Sequence, residues 1–297
     1  MFIRRYRRDW VVDMDLSKCF DTLNHDRIIR QFRERITDGS VLSLLRQFLE
    51  SGVMVGHHLE ETTLGSPQGG VISPLIANVY LDAFDQFMKA RGHRIVRYAD
   101  DILILCGSRE GAENALRVAQ GYLEGELKLR VNATKTHIAH SDEGVKFLGV
   151  VIHTDYTRIQ DNKVAKLKQT LKALTKRNRG IGLMQIIREL NPVLRGFVSY
   201  FRVANCARVL KQVMRWLRRR LRYIQLTQWK KPSRLHRRLK QLGYRPPFKS
   251  IKMRSWRNAA SPLAHHAIPN AYLHDELRLV DLTQVRTGIA VPELGVS

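Results

Sequence analysis

The stretch IVRYADDILILC, residues 95–106, places two adjacent aspartates between two short runs of apolar residues. Residues 95–98 and 102–105 are rich in β-branched and aliphatic side chains, which predicts two strands of a hairpin. Burying an unpaired carboxylate is costly, and two neighbouring carboxylates raise that cost. Asp100 and Asp101 therefore need a source of positive charge close to the hairpin, unless the pair lies in a solvated turn.

A second acidic position ends another predicted strand of the first half. WVVDMDLS, residues 10–17, is a run of β-formers that leads to Asp15, a residue that also suits the cap of a following helix. Helical periodicity covers about 26–50, Ser73–Pro74 predicts a helix start, residues 110–127 predict a helix, and 145–152 predict a strand. This order predicts an α+β fold, with a small antiparallel sheet and helices on one of its faces.

Charge divides the chain into two parts. Residues 1–150 hold 20 Lys+Arg and 20 Asp+Glu, so residues 151–297 carry the whole formal charge of +24. A stripe of apolar residues runs along the predicted helix 208–224. Beside it runs a basic stripe of Arg208, Lys211, Arg215, Arg218 and Arg222. Such an excess predicts a polyanionic partner, and a membrane surface is disfavoured because the helix lacks exposed apolar bulk.

The remaining composition favours a cytoplasmic protein. No apolar run approaches the ~20 residues of a membrane-spanning helix, and the first residues show no signal-peptide stretch. Cys19, Cys106 and Cys206 are few and widely spaced, so buried free thiols are expected.

Several motifs of the first half resemble the palm motifs of reverse transcriptases, above all those of group II intron-encoded proteins. They are DLSKCFD (15–21), PQGGVISPLIANVYLD (67–82), YADD (98–101), NATKT (132–136) and FLG (147–149), in the family's order and spacing. LNPVLRGFVSYFR (190–202), WLRRRLRYIQLTQWKKP (216–232) and PNAYL (269–273) resemble the maturase, or thumb, domain of the same proteins. The resemblance covers about residues 10–275.

For the first half, the resemblance implies an RNA-directed DNA polymerase. Asp15, Asp100 and Asp101 would hold two Mg²⁺ ions for transfer of a nucleotide from dNTP to a primer 3′-OH on an RNA template. Phe20 would lie under the sugar, or pack in the core, and Tyr98 would pack beneath the site. The implied nucleotide contacts are completed by Gln68, Gly69, Gly70 and Lys135, although Lys135 also suits an exposed surface position.

For the second half, the resemblance implies maturase activity, in which the chain binds group II intron RNA and assists its splicing and mobility on a DNA target. Trp216 and Trp229 would stack on bases or, as we favour, anchor helices. The cations implied to contact phosphates are Arg195, Arg202, Arg208, Lys211, Arg215, Arg218, Arg219, Arg220, Arg222, Lys230 and Lys231.

These motifs predict a right-hand polymerase palm over 1–155, an α-helical basic thumb/maturase domain over 156–275 and a tail over 276–297. Only fourteen residues precede Asp15, so most of the family's fingers region is expected to be missing. Primer extension by residues 1–297 is therefore expected to be weak or absent. The alternative is a catalytically inactive RNA-binding maturase that retains the palm as a scaffold.

Overall fold

The structure, a computed structural model, describes residues 7–51, 53–55, 58–60, 65, 72–248, 259 and 261–288, with only the backbone of 53–55 and 58–60. The chain divides into two compact units. Unit 1 comprises the residues up to Phe147 together with Ile152–Asp155, and unit 2 comprises Leu148–Val151 and the residues from Tyr156 onward.

A four-stranded antiparallel sheet forms the centre of unit 1. It contains β1 (Trp10–Met14), β5 (Arg94–Tyr98), β6 (Asp101–Cys106) and β8 (His137–His140), in the order β5-β6-β1-β8. The shorter strands of unit 1 are β2 (Leu16–Ser17), β3 (Val53–Val55), β4 (His58–Glu60), β7 (Arg130–Val131) and β9 (Val145–Phe147). β2 pairs with β7 and β3 with β4, both antiparallel.

Four helices form one core with one face of this sheet: α1 (His25–Arg33), α2 (Gly39–Glu50), α3 (Ser73–Ala90) and α4 (Arg109–Gly125). Alternation along β1 explains the two faces, because successive strand residues point to opposite sides. Val12 and Met14 join the core beneath the helices, whereas Val11 belongs to a smaller cluster with Leu103 and Leu105. The predicted α+β fold with helices on one face is therefore confirmed.

Unit 2 is mainly helical. Its elements are β10 (Val150–Ile152, which ends at the boundary with unit 1), β11 (Thr157–Ile159), α5 (Asp161–Leu174), α6 (Leu183–Phe201), α7 (Ala207–Trp229), α8 (Pro232–Gln241) and α9 (Pro262–Ala267). A π-helical turn at Tyr272–Glu276 and a 3₁₀ turn at Leu282–Gln284 follow. Leu279 and Leu282 are buried in the same core as Leu217 and Leu221 of α7, so the residues after α9 complete this unit.

Two predicted elements differ from the structure. The helix expected over 26–50 is two helices, because the Asp38 side chain accepts hydrogen bonds from the amides of Ser40 and Val41 and so starts a new helix. The strand expected over 145–152 is broken at Leu148 and Gly149, whose φ angles of 46° and 83° do not belong to a strand.

Other sequence-based expectations are met. The hairpin of β5 and β6 and the helix over 110–127 are present within two residues of the predicted bounds. Cys19, Cys106 and Cys206 are free and buried. Within the described parts of the chain, no helix has the length and apolar character needed to cross a membrane.

Candidate active site

The register of the central sheet brings the acidic residues of unit 1 to one end. β1 and β6 are antiparallel, and their last matched pair is Met14 with Ile102. Asp15 directly follows Met14, and Asp101 directly precedes Ile102, so these two aspartates stand at the same edge of the paired strands. Sequence positions eighty-six residues apart are therefore neighbours because of strand pairing alone.

Asp100 lies in the turn of the β5–β6 hairpin. Tyr98 pairs with Asp101, which leaves Ala99 and Asp100 as a two-residue turn. Ala99 has a φ of 54°, a left-handed conformation that costs free energy for a residue with a β carbon. Such a turn persists only when its surroundings hold it in place.

The side chain of Arg97 holds this turn. Its guanidinium forms a two-pronged ion pair with Asp85 of α3, with Nε–Oδ1 at 2.9 Å and Nη2–Oδ2 at 2.6 Å. Nη1 donates to the side chain of Asn78 at 3.1 Å and to the Ala99 carbonyl at 3.0 Å. Because Arg97 and Asp85 are only 9% and 16% exposed, solvent screens this pair weakly. The strained turn is thereby tied to a long helix.

The carboxylates at this edge repel one another. Burial, followed by the charges of Asp100 and Asp15, raises the pKa of Asp101, and Lys135 partly opposes that rise. Burial also raises the pKa of Asp13, where His137 opposes the effect and the charges of Asp101 and Asp15 add to it. The edge of the sheet is a concentration of negative charge that favours a cation.

One protein cation already lies against these carboxylates. Lys135 Nζ is 2.7 Å from Asp15 Oδ2, and its hydrogen bond to Asp15 raises the lysine pKa. The side-chain Nδ2 of Asn132 donates to the same Oδ2 at 3.2 Å. The backbone N–H of Asn132 donates to the backbone carbonyl of Asp15 at 2.8 Å. The Asp15 amide in turn donates to Thr136 Oγ1 at 3.3 Å. The loop of residues 132–136 therefore encloses Asp15.

The donor set suits a hard divalent cation by its chemistry. Asp15, Asp100 and Asp101 offer only carboxylate oxygens, which Mg²⁺ prefers, and their mutual repulsion falls when a cation is shared. Over the described residues, no three His, Cys, Asp or Glu side chains are gathered closely enough to count as a metal-binding group. One oxygen of Asp15 faces the Lys135 ammonium instead.

The other predicted residues of unit 1 have mixed placements. Phe20 is partly buried and packs against the core of unit 1. Tyr98 was expected to pack beneath the site, but it is 64% exposed. It lies on β5, the edge strand of the sheet, on the face opposite to its neighbour Arg97. Gln68, Gly69 and Gly70 lie outside the described residues.

Sequence reasoning overlooked three residues that shape this site: Asp13, Arg97 and Asn132. A signal for Asp13 was present, because side chains alternate along a strand and Asp13 is two residues before Asp15. Arg97 is also part of the quoted stretch, but its partner Asp85 is on a helix twelve residues earlier. No local pattern identifies that pairing.

The basic candidates of unit 2 fall into three groups. Arg218 is 14% exposed, is paired with Asp281 at 2.8 Å and donates to His274, while Arg220 donates to Thr175 Oγ1 at 2.6 Å. Arg222 is only 3% exposed. Eight candidates are exposed: Arg195, Arg202, Arg208, Lys211, Arg215, Arg219, Lys230 and Lys231.

The placement of Arg222 differs from the expected role in phosphate binding. Its guanidinium donates from Nε to the Ile268 carbonyl at 2.8 Å and from Nη2 to Asn270 Oδ1 at 2.6 Å. Burial, with the nearby charge of Arg218, lowers the pKa of Arg222 to about 10. As folded, this arginine joins α7 to the residues after α9 and does not face solvent. Trp216 and Trp229 are partly buried against the same core, which fits anchoring.

Comparison with known proteins identifies two regions. The family described as reverse transcriptase (RNA-dependent DNA polymerase) matches residues 3–152, about half of the chain. The family described as group II intron, maturase-specific domain matches residues 164–243. The two matches fall in the neutral and the basic part of the sequence, respectively.

Individual relatives agree with this division. Protein YkfC of Escherichia coli is 35% identical, over 48% of this chain and 46% of its own length. The putative COX1/OXI3 intron 2 protein of Saccharomyces cerevisiae is 31% identical, over 48% of this chain and 23% of its own length. The group II intron-encoded protein LtrA of Lactococcus lactis is 26% identical, over 47% and 34%.

The chain thus spans less than half of the length of each of these three relatives. A solved structure of telomerase from Candida albicans matches 75% of this chain at 14% identity, with a TM-score of 0.45 that adds no weight of its own. The family assignment rests on the sequence match over residues 3–152. The chain belongs to the reverse transcriptase family and carries a group II intron maturase-specific domain.

Proposed function

We propose that this chain supplies the catalytic palm and the maturase domain of a group II intron-type RNA-directed DNA polymerase. The observation that carries the proposal is the meeting of Asp15 and the Asp100–Asp101 turn at one edge of the sheet, with Lys135 beside them. The family match over 3–152 supports the same reaction class. The substrates of the proposed reaction are a dNTP, a primer 3′-OH and an RNA template.

Asp15, Asp100 and Asp101 are proposed to hold two Mg²⁺ ions. When bound ~4 Å apart, such ions stabilise both the attacking and the leaving oxygen of an in-line phosphoryl displacement. The protein contributes position: β1 and β6 fix Asp15 and Asp101, and Arg97 fixes the turn that carries Asp100. Catalysis of this kind depends on positioning and charge neutralisation.

Lys135 is proposed to exchange partners during the reaction. In the structure its ammonium neutralises Asp15 Oδ2. Its exposed Nζ carries a proton that it can donate, or a charge that it can offer, to the leaving pyrophosphate. Phe20, together with Gln68, Gly69 and Gly70, is proposed to contact the sugar and the nascent base pair, on the basis of the family resemblance.

Unit 2 is proposed to bind group II intron RNA through its eight exposed cations. Lys and Arg contacts with phosphates give affinity that falls with rising salt, without direct readout of sequence. Arg218 and Arg220 already have partners in the fold, and Arg222 is interior, so these three are left out of the proposed surface. A DNA target for intron mobility belongs to the same proposal.

The test is primer extension on an RNA template with Mg²⁺, carried out with the polypeptide as its gene encodes it. Asp100→Asn is expected to lower extension by about 10²–10³-fold, the scale of losing one preorganised electrostatic group. Asp82→Asn is the matched control, because Asp82 is exposed on α3 and its side chain accepts a hydrogen bond from Gln86. Extension that survives Asp100→Asn would refute the proposed catalytic role.

Primer extension, measured together with RNA binding, distinguishes the alternative of an inactive maturase. Both proposals expect Asp100→Asn to leave RNA affinity unchanged, because the exposed cations lie in unit 2. The inactive maturase predicts that the polypeptide, as its gene encodes it, binds intron RNA and shows no extension under any divalent ion. The polymerase predicts extension by the same polypeptide that Asp100→Asn removes. Loss of RNA binding on Asp100→Asn, with the fold intact, would contradict the assignment of RNA binding to unit 2.

A further inference from the structure

A second feature of unit 1 is an open cleft of about 810 Å³ beside β2 and β7. Five cationic side chains line it, and they come from three parts of the chain: Lys18, Arg27, Arg30, Lys128 and Arg130. Glu126 is the one carboxylate among the residues that line it. The cleft is therefore strongly positive although residues 1–150 as a whole carry equal numbers of basic and acidic residues.

Most of these cations are available to a ligand. Among the described residues, no carboxylate lies within ion-pair distance of Lys18, Arg30, Lys128 or Arg130. Some exposed arginines elsewhere on unit 1 are paired instead, as in Arg46 with Asp26 at 2.8 Å. Unpaired like charges held together on one surface repel one another, and an anion relieves that repulsion.

Arg27 has a different part in the cleft. Its Nη1 donates to the Glu126 carbonyl, and its guanidinium lies over the Tyr80 ring at 5.9 Å. The Tyr80 hydroxyl donates to the Leu127 carbonyl at 2.7 Å. These contacts hold α1, α3 and the segment after α4 together, so the wall of the cleft is built before any ligand arrives.

The backbone of the cleft is strained at two of its lysines. Lys18 has a φ of 49° and Lys128 a φ of 56°, although a left-handed conformation is unfavourable for a residue with a β carbon. Strained residues of this kind concentrate at ligand-binding and active sites. Here both of them line the same cleft.

The cleft adjoins the carboxylate edge of the sheet. Ser17 pairs with Arg130 across β2 and β7, and β2 begins one residue after Asp15. Lys18 is three residues from Asp15, so its backbone lies within about 10 Å of the proposed metal ligand. A phosphate bound in the cleft is therefore close to the place where, in the proposed function, pyrophosphate leaves.

We propose that this cleft is a phosphate-binding site of unit 1, lying beside the carboxylates and separate from the basic surface of unit 2. Lys and Arg bind phosphate oxygens through charge-assisted hydrogen bonds. The phosphates come either from a polyphosphate, as in dNTP or pyrophosphate, or from the backbone of an RNA strand. Because the cleft lies next to Asp15, its role in polymerisation rests on the proposed function. Phosphate binding itself does not require catalysis.

The test compares two double variants with the same change in charge. Lys128→Gln/Arg130→Gln removes two cations of the cleft, and Arg109→Gln/Arg117→Gln removes two exposed cations of α4 outside it. Pyrophosphate binding is measured by calorimetry. Binding of a labelled single-stranded RNA is measured by fluorescence anisotropy between about 50 and 200 mM salt. Thermal unfolding checks that both variants fold.

We expect one ligand to lose affinity in the cleft variant alone. Pyrophosphate binding that weakens by about tenfold assigns the site to polyphosphates. A salt slope for RNA that falls by about 1.5 assigns it to the RNA backbone. Equal effects of the two double variants on both ligands would overturn the proposal. Arg30→Gln, on α1, provides a second variant should the β7 change disturb folding.

The outcome is independent of the polymerase test. If Asp100→Asn leaves primer extension intact, the proposed catalytic role fails, and the binding measurements above still stand. If the cleft variants bind both ligands as the control does, the phosphate site fails, and the role of Asp100 is untouched.

Discussion

The β5–β6 hairpin and the basic stripe of α7 look equally informative in the sequence, yet they fare differently in the fold. The hairpin keeps its predicted form, and Asp100 and Asp101 lie at its turn. Along the stripe, Arg208, Lys211 and Arg215 are exposed, whereas Arg222 is buried. The hairpin is formed by residues that are adjacent in the sequence. The exposure of the stripe depends on which distant residues pack over it.

Residues after α9 provide that cover. Asp281 pairs with Arg218, and Ile268 and Asn270 accept hydrogen bonds from Arg222. Helical spacing predicts which side chains share a face, but it does not tell which part of the face stays in water. The last forty residues show little periodicity, so no local sequence pattern predicts that they pack on α7.

The largest expected effect separates a buried arginine of α7 from an exposed one. Arg222→Ala removes a buried guanidinium and leaves the Ile268 carbonyl and the Asn270 side chain without their donor, so we expect a loss of about 3 kcal/mol of stability. Arg219→Ala, at an exposed position of the same helix, should change stability by less than about 0.5 kcal/mol. Denaturant unfolding of both variants measures the difference.

RNA affinity should show the opposite ranking. For Arg219→Ala the slope of log affinity against log salt should fall by about 0.7–0.9, the value for one phosphate contact. For Arg222→Ala it should stay the same under conditions in which the variant is folded. A slope that falls for Arg222→Ala would show that this arginine leaves the core to bind RNA.

A smaller effect is expected at the hairpin, where Arg97 acts as a positioning residue. Arg97→Ala removes the donor to the Ala99 carbonyl and frees the strained turn from α3. We expect kcat for primer extension to fall by about ten- to a hundredfold with little change in the KM for dNTP, because Asp100 is displaced and no substrate contact is lost. Single-turnover kinetics measure both quantities.

Two further variants test this interpretation of Arg97. Arg97→Lys keeps the charge beside Asp85 but cannot satisfy Asp85 and the Ala99 carbonyl together, so partial recovery of kcat is expected. Lys89→Ala, which removes an exposed cation from α3, is the control and should have no effect. A KM that rises while kcat is unchanged would contradict positioning and indicate a direct contact with the nucleotide.

The sequence predicted the features that depend on neighbouring residues and missed those that depend on distant ones. Apolar alternation and turn residues predicted the hairpin and β1, and strand pairing then brings Asp15 to Asp101. The divided helix at Asp38 and the break at Leu148–Gly149 were missed because hydrophobic periodicity continues across both. The cleft was missed because its five cations come from separate segments and are balanced in the count by acids elsewhere.

The smallest effects concern pH, and they have opposite signs in the two units. Burial raises the pKa of Asp281, but hydrogen bonds from Thr283 and the charge of Arg218 outweigh this effect and hold the pKa below its usual 3.8. The stability that Asp281 contributes is therefore complete above pH 3.8 and is lost as pH falls through the lowered value. Asp281→Asn should cost about 1 kcal/mol at neutral pH and less in acid.

Asp13 in unit 1 shows the reverse. Its pKa is raised, chiefly by burial, so the folded state binds the proton more tightly and stability falls as pH rises from 3.8 through the raised value. Asp13→Asn is therefore expected to increase stability at neutral pH, by up to about 1 kcal/mol, and to change little below pH 3.8. Unfolding curves recorded across this range test both signs, and a stabilising Asp281→Asn would contradict them.

The carboxylates at the end of β1 and at the β5–β6 turn are proposed to form a divalent-cation site together. Binding of Mn²⁺, followed by electron paramagnetic resonance in the absence of nucleotide, tests it most directly. The unaltered protein and Asp82→Asn should bind Mn²⁺ alike, and Asp100→Asn should lose that binding. Equal Mn²⁺ binding by all three proteins would contradict the claim.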